Sequence, residues 1–344
     1  MLKKRLARTL FLALLACTMI FLSGACAEQT SVETDSSGTT QETQTTESID
    51  VQVASLKGPT SIGIVNLIND AKDGNAPTEN TYEFAISGTA DEILPQLING
   101  AVDIAIIPAN AASVLYNKTE GDIQVLNINN LGVLYVVSAD TTVDSIDDLA
   151  GRTVYLTGKG TTPEYVFNTL LDEAGITGQV TMEFKTEATE LAAAITADPT
   201  AIAVLPEPYV TAITQKNPEL KRNISLTEAW KEATGEELIT GVTVVRKEFA
   251  LDHPEMVAEF QALHEASVAA ANDDPAATAP LVVALGIVEN ERVAELSIPS
   301  CNLVSLTNAE LKSALNKYLT ALYNQDPTSI GGTLPSDDFY YVVK

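Results

Sequence analysis

Residues 96–115 read QLINGAVDIAIIPANAASVL, and this stretch decides the fold. Its near-continuous apolar run, Ala101–Ile107, leads through Pro108-Ala109-Asn110 into the helical pattern Ala111–Tyr116. A short strand that is apolar along its whole length is typical of a parallel sheet, because helices cover both faces of such a sheet. The stretch therefore predicts one strand–helix unit of an α/β domain.

Similar units lie on both sides of this stretch along the chain. The strands predicted for the first part are Val51–Leu56, Tyr82–Ser87, Ala101–Ile107, Gln124–Ile128 and Val133–Ser138, and the helices are Ser61–Asn69, Ala90–Asn99 and Ala111–Tyr116. Strands that alternate with helices indicate a mostly parallel sheet.

The alternation restarts after Ala139. This second part has predicted helices at Asp144–Leu149, Glu164–Ala174 and Glu187–Ala197 and predicted strands at Thr153–Leu156, Val180–Phe184 and Thr200–Leu205. Leu238–Arg246 is predicted to return to the first sheet, and the segments after it are mainly helical: 254–272, 275–285, 289–296 and 308–324.

The pattern therefore predicts two α/β lobes. Residues 49–139 and 240–344 are assigned to lobe 1 and residues 140–239 to lobe 2, with crossings near Val137–Asp140 and Leu238–Val242. Open α/β sheets bind ligands at the carboxyl ends of their strands. Two such lobes form a cleft that a hinge motion can close.

The N-terminus has the features of a secretory signal. Four basic residues precede the apolar run Leu10–Leu22, and Ser23-Gly24-Ala25 then leads to Cys26. A charged start, a short apolar run and small residues are typical of a signal peptide, here residues 1–25. The end of the run resembles the bacterial lipobox, although Ser23 stands where that motif usually has Leu. The resemblance predicts a lipid on Cys26; the alternative is an ordinary signal peptide that is cut near Ala25 or Ala27.

Residues 27–48 read AEQTSVETDSSGTTQETQTTES and contain a single large apolar residue, Val32. Such a segment buries too little apolar surface to offset its chain entropy, so it is predicted to be a disordered spacer. With the lipid on Cys26, it would tether a folded domain to the outer face of the cytoplasmic membrane.

Composition excludes several classes of function. The chain has 20 Lys and Arg against 46 Asp and Glu, a formal net charge of −26. Nucleic acid is an unsuitable partner for such a chain, because phosphate binding needs basic surface. Beyond the signal and Cys26 there are one cysteine, Cys301, and two histidines, so a Cys/His zinc site is not expected. We expect no metal and no cofactor, and a monomer.

Five segments together are similar to type II periplasmic binding proteins, the substrate-binding components of ABC importers. They are LKGPTSIGIVNLIND (56–70), QLINGAVDIAIIPANAASVL (96–115), LGVLYVVS (131–138), SIDDLAGRTVYLTGKGTTPEY (145–165) and AIAVLPEPYVTAI (201–213). Within that family the chain resembles the nitrate, sulfonate, taurine and thiamine-precursor group. The resemblance implies a two-lobed α/β fold with a central cleft, a small-molecule ligand, and an ABC permease with its ATPase subunits as partners.

The resemblance also implies that ligand contacts come from the loops after the strands. In the first lobe the implied residues are Gly58, Pro59, Thr60, Ser61, Gly88, Thr89, Ala90, Pro108, Ala109 and Asn110. Helix N-termini offer free N–H donors there, and glycine lets backbone approach a ligand closely. Thr60, Thr89 and Asn110 are also good N-cap residues, and a cap can contact a ligand as well.

In the second lobe the candidates are Gly158, Lys159, Gly160, Thr161, Thr162, Glu207 and Tyr209. The glycine-rich loop lacks the spacing of a nucleotide-binding P-loop. Lys159 faces either a ligand or water, Glu207 faces either the cleft or solvent, and Tyr209 either stacks on a ligand or packs in the core. Lys57 and Lys159 suit an anion, whereas Glu207 suits an amino group, and the sequence does not decide between the two.

The leading hypothesis is a solute-binding protein with no catalytic activity. Two alternatives remain: a ligand-sensing receptor for a membrane signalling partner, and a pyrimidine-synthase-like enzyme. Related enzymes of that kind use a histidine and a Cys-rich iron motif, and the mature chain lacks a cysteine cluster.

Overall fold

The structure is a computed structural model, and it describes residues 48–140, 142–198 and 200–342. The predicted signal peptide, Cys26 and all of the predicted spacer except Ser48 lie outside these residues. In the described part of the chain, no helix has the length and apolar character needed to span a membrane.

The described residues contain eleven strands and thirteen α-helices. The strands are β1 (Asp50–Leu56), β2 (Thr81–Ser87), β3 (Ile104–Pro108), β4 (Ile123–Leu131), β5 (Leu134–Ser138), β6 (Thr153–Leu156), β7 (Thr181–Phe184), β8 (Ile202–Pro206), β9 (Lys221–Ser225), β10 (Ile239–Arg246) and β11 (Leu303–Leu306). The helices are α1 (Pro59–Ile62), α2 (Val65–Asp73), α3 (Ala90–Ile98), α4 (Ala109–Lys118), α5 (Thr162–Glu173), α6 (Ala188–Ala197), α7 (Tyr209–Lys216), α8 (Leu226–Thr234), α9 (Lys247–Asp252), α10 (Pro254–Asp273), α11 (Pro275–Ala284), α12 (Glu291–Ser297) and α13 (Asn308–Gln325).

These strands form two sheets. The first has the order β11-β4-β10-β3-β1-β2 and the second β7-β6-β8-β5-β9. In the first sheet β1 is parallel to β2 and β3, and β10 runs antiparallel between β3 and β4. In the second sheet β6 is parallel to β7 and β8, and β5 is antiparallel to β8 and β9. The predicted α/β class with two sheets is confirmed.

The predicted crossing near Val137–Asp140 is wrong. β4 pairs within the first sheet and β5 within the second, so the chain passes between the sheets at Gly132-Val133. Residues 134–138 are apolar and almost fully buried, and such a run fits either sheet equally well. The return passage lies between α8 and β10, at residues 235–238.

The predicted helix over Ser61–Asn69 is broken into α1 and α2. The carbonyls of Pro59 and Thr60, which a continuous helix would use internally, accept hydrogen bonds from the side chains of Asn130 and Asn129, at 3.3 Å each. The helix stops after Ile62 because these carbonyls have other partners.

Helix α13 packs on elements of both sheets. Its Tyr318 ring lies 5.5 Å from the ring of Trp230 in α8, and Lys317 Nζ lies 3.0 Å from Glu236 Oε2. One hydrophobic cluster accordingly runs from strands of the first sheet through α13 to α5 and α8. Residues 240–344 therefore contribute packing to both sheets and not to the first alone.

We predict that Gly132→Ala lowers the free energy of unfolding by about 1–3 kcal/mol, because the added methyl group overpacks the crossing. A Cβ at Gly132 would lie 2.2 Å from Thr227 Oγ1 and 2.8 Å from its Cγ2. Urea unfolding monitored by circular dichroism measures the change. Thr227→Ala removes these two atoms and leaves Thr227 Cβ at 2.9 Å, so the double variant should recover part of the loss. A single variant as stable as wild type would contradict the prediction.

Candidate ligand-binding cleft

A cavity of about 290 Å³ lies where the two sheets face each other. Its first wall consists of the segments after β1, β2 and β3, and its second wall of the segments after β6, β7 and β8. These are the carboxyl ends of the strands, where the loops and helix N-termini of open α/β sheets form binding sites. The sequence-predicted positions and the cavity therefore coincide in the fold.

Most of the predicted ligand-binding residues lie around this one cavity. They are Pro59, Thr60, Gly88, Thr89, Ala90, Pro108, Gly158, Lys159, Thr161, Thr162 and Tyr209. The remaining predicted residues do not line it: Gly58, Ser61, Ala109, Asn110, Gly160 and Glu207.

Several of these remaining residues shape the wall from behind. Gly58 precedes α1 with φ +130°, a conformation that favours glycine. Ser61 is fully buried, and its hydroxyl lies 2.9 Å from Ser55 Oγ and 2.8 Å from the Leu56 carbonyl. The predicted ligand contact of Ser61 is thus replaced by bonds to the strand before it.

Asn110 connects the two walls instead of facing the cavity. Its side chain is fully buried and donates to the Ser329 carbonyl at 3.0 Å and to the Gly160 carbonyl at 3.3 Å. Its Oδ1 accepts a hydrogen bond from the hydroxyl of Thr162 at 3.4 Å. Asn110 therefore holds α4 of the first sheet against the β6–α5 loop of the second.

Glu207 faces neither the cavity nor solvent, so both readings of its sequence position are wrong. The side chain is completely buried and is paired with Arg222, which also donates to Thr211 Oγ1 at 2.7 Å. The backbone N–H of Thr211 donates to Glu207 Oε2 at 3.1 Å. Burial raises the pKa of the Glu207 carboxyl, and the Arg222 charge opposes that rise. The sequence alone could not predict this ion pair, because Arg222 lies in β9, an edge strand whose polar sequence has no apolar alternation that would mark it as a strand.

The loop of Gly158–Thr161 uses most of its polar groups internally. The hydroxyl of Thr161 donates to the Gly158 carbonyl at 2.7 Å, and the Gly160 N–H donates to Glu164 Oε2 at 2.5 Å. Lys159 is exposed, with Nζ 5.8 Å from the centre of the Phe184 ring. The loop therefore offers the cavity few free N–H donors, and Lys159 is its one charged residue in the lining.

The sequence analysis missed the segment after β7, which supplies Lys185, Thr186, Glu187 and Ala188 to the lining. The rule that placed the other loops would have found it, since Lys185 directly follows a parallel strand. A Cβ at Gly88 would lie 2.9 Å from Glu187 Oε1, so glycine at this position lets Glu187 approach the opposite wall.

The charges around the cavity differ from those of the whole chain. Lys57, Lys159 and Lys185 line it together with Asp91 and Glu187. Lys185 lies 3.9 Å from Glu190, whereas no ion pair among the described residues involves Lys57 or Lys159. Basic and acidic side chains are thus nearly balanced around the cavity, in a chain whose formal net charge is −26.

The comparisons with known proteins agree with this geometry. A family model described as menaquinone biosynthesis matches residues 61–323. The chain belongs to this family. Comparison with curated protein sequences gives no match.

Solved structures show the same fold. An ABC transporter protein from Parabacteroides distasonis is 23% identical, with a TM-score of 0.71 over 86% of this chain and 99% of that one. The aliphatic sulphonate binding protein SsuA from Escherichia coli is 12% identical, with a TM-score of 0.68 over 86% and 92%. The alkanesulfonate-binding protein SsuA from Xanthomonas axonopodis, bound to MOPS, is 13% identical, with a TM-score of 0.65 over 83% and 94%. The predicted type II periplasmic binding protein fold is confirmed.

We predict that Arg222→Ala lowers the free energy of unfolding by about 1–3 kcal/mol, because it leaves the buried Glu207 carboxylate without its cationic partner. Urea unfolding of the variant beside Lys221→Ala, an exposed neighbour in the same strand, measures the effect. Adding Glu207→Gln should restore much of the stability, since the uncompensated charge is then gone. Equal stability of Arg222→Ala and Lys221→Ala would contradict the prediction.

Proposed function

We propose that the protein is the extracytoplasmic solute-binding component of an ABC importer and captures a small organic anion in the cavity between its sheets. One observation carries the proposal: Lys57 and Lys159 lie on opposite walls of one cavity. Neither lysine forms an ion pair among the described residues. Lysines that line a cavity raise its local positive potential and so attract an anionic ligand.

The dimensions of the cavity support a small ligand. About 290 Å³ is near the lower end of the range for small-molecule pockets, roughly 300–1,000 Å³. Pro59, Pro108 and Pro206 supply apolar surface, and the hydroxyls of threonines such as Thr60 and Thr89 supply neutral hydrogen-bonding groups. A carboxylate or sulfonate on a short carbon skeleton matches this combination.

Proteins of the same fold give the proposal further support. Two of the similar structures are sulfonate-binding proteins, and one of them holds MOPS, a sulfonate. Glu187 and Asp91 lie in the same cavity, so an anion that also carries an amino group fits the lining as well as a simple anion does.

An enzyme is the second candidate, and the description of the family as menaquinone biosynthesis favours it. Catalysis on this fold would need a nucleophile or a general base at the cavity. His264 is fully buried beside Asn127, away from the cavity lining, and burial lowers the pKa of its imidazole to about 4. Cys301 is also fully buried, and burial raises the pKa of its thiol. Neither His264 nor Cys301 can therefore serve as the base or nucleophile, and such an enzyme would have to rely on the carboxylates of the lining, Asp91 and Glu187.

The binding of anions should depend on both lysines. We predict that Lys57→Ala and Lys159→Ala each weaken binding of short sulfonates or carboxylates by about 10- to 100-fold, because each removes a charge-assisted contact. Isothermal titration with methanesulfonate, taurine, acetate, nitrate, bicarbonate and an aminopyrimidine measures this. Lys72→Ala, an exposed lysine of α2, is the control and should bind as wild type does.

Two results would contradict the proposed anion. One is binding of the aminopyrimidine alone, which would indicate a neutral or cationic ligand. The other is anion binding that survives removal of both lysines, which would move the site elsewhere. Substrate turnover by the purified protein would instead establish the enzyme.

The proposal includes an anchor at Cys26, so that the receptor stays close to a permease in the cytoplasmic membrane. We predict that the wild-type protein partitions into the detergent phase of Triton X-114 and incorporates labelled palmitate in a bacterial host, whereas Cys26→Ala does neither and is released. Cys301→Ala should retain the label. Release of both the wild type and Cys26→Ala would show an ordinary cleaved signal peptide.

A further inference from the structure

A second, larger space of about 580 Å³ adjoins the cavity. It is a groove between helices α6 and α7 of the second sheet and the segment from Ile287 to Val293 of the first. Thr189 and Tyr209 line both the cavity and the groove, so the two spaces meet at these residues.

Small side chains on two helices create the groove. Helix α6 contributes Thr189, Ala192, Ala193 and Thr196, and helix α7 contributes Tyr209, Ala212, Ile213 and Lys216. Both sets follow the spacing i, i+3, i+4, i+7, which places each set on one helix face. Three of the four central positions are alanines, Ala192, Ala193 and Ala212, so the helices leave open the volume that larger side chains would fill.

The inner surface of the groove is apolar and its edge is charged. Ile213, Ile287 and Val288 are buried at its wall. Lys216 and Arg292 are exposed at the edge, and Arg292 Nη1 lies 2.8 Å from Glu295 Oε2. An alkyl chain or an aromatic ring would be stabilised on such a surface by removal from water.

Tyr209 gives a second and independent indication of a ligand. Its side chain is only 5% exposed, yet none of the hydrogen bonds among the described residues involves its hydroxyl. The ring lies against the turn before α1, with Cε2 3.8 Å from the position of a Cβ at Gly58. The hydroxyl itself is not fully buried, so it is free to hydrogen-bond to a ligand that passes Tyr209.

We infer that the groove is a subsite for the apolar portion of the ligand whose anionic group lies in the cavity. The inference rests on the proposed function and makes it more specific: the ligand is an amphipathic anion that extends past Tyr209. The lysines select the charged end, and the alanines of α6 and α7 set the length and thickness of the apolar end.

The test is a chain-length series titrated into the full-length protein without its signal. Linear alkanesulfonates from one to eight carbons should bind progressively more tightly, by about fourfold for each methylene that the groove buries. Ala193→Phe places a large ring in the groove at an exposed helix position, so it should abolish this gain and leave the affinity for methanesulfonate unchanged. Ala269→Phe, at an exposed position inside α10, is the matched control and should keep the whole series.

The outcomes separate this inference from the proposed function. Binding of methanesulfonate with no gain along the series, or a gain that Ala193→Phe retains, would overturn the subsite and leave the anion site standing. Binding of no sulfonate and no carboxylate of any length would overturn both. Tyr209→Phe removes only the hydroxyl and keeps the ring. It therefore separates a contact of the hydroxyl with the ligand from a purely structural role of the ring. Because Tyr209 lines both spaces, the comparison is between chain lengths: the loss should be about tenfold greater for the longer members than for methanesulfonate.

Discussion

Two asparagine side chains at the end of β4 hold together the segments on which the cleft depends. Asn130 donates to the carbonyls of Pro59 and Cys301, and Asn129 donates to the carbonyl of Thr60. These bonds end α1 after one turn and fix the loop that presents Pro59 and Thr60 to the cavity. They also lie directly before the crossing at Gly132-Val133, so one short segment positions both the binding wall and the passage between the sheets.

Electrostatics divides the basic residues of the chain into two groups. Arg222 forms an ion pair with the buried carboxylate of Glu207, and its Cζ lies 5.4 Å from the centre of the Tyr135 ring. These contacts stabilise the segment that leads into α7. Lys57 and Lys159 form no ion pair among the described residues, and both line the cavity. The distinction bears on the proposed ligand, because the Glu207 carboxylate, which suggested an amino group, is already paired with Arg222 within the protein.

The sequence allowed the fold and much of the candidate site to be predicted, since both depend on local patterns. The apolar run of β3 followed by Pro108 and a helix is such a pattern, and the loops after parallel strands follow from it. What could not be predicted depends on long-range partners. Strand β9 has a polar sequence and buries only Ile224, so no periodicity marks it. The break after Ile62 and the burial of Glu207 are caused by Asn130 and Arg222, and no local rule connects these residues with their partners. Whether the predicted residues bind a ligand stays a prediction.

Helix α13 has a mechanical consequence. It is packed against α5 and α8 on one side of the molecule, and Asn110 ties α4 to the β6–α5 loop on the same side. Separation of the sheets there would expose Tyr318 and Trp230, which are now completely buried, to water. This side therefore resists separation of the two sheets, since any opening here removes two large aromatic rings from the core.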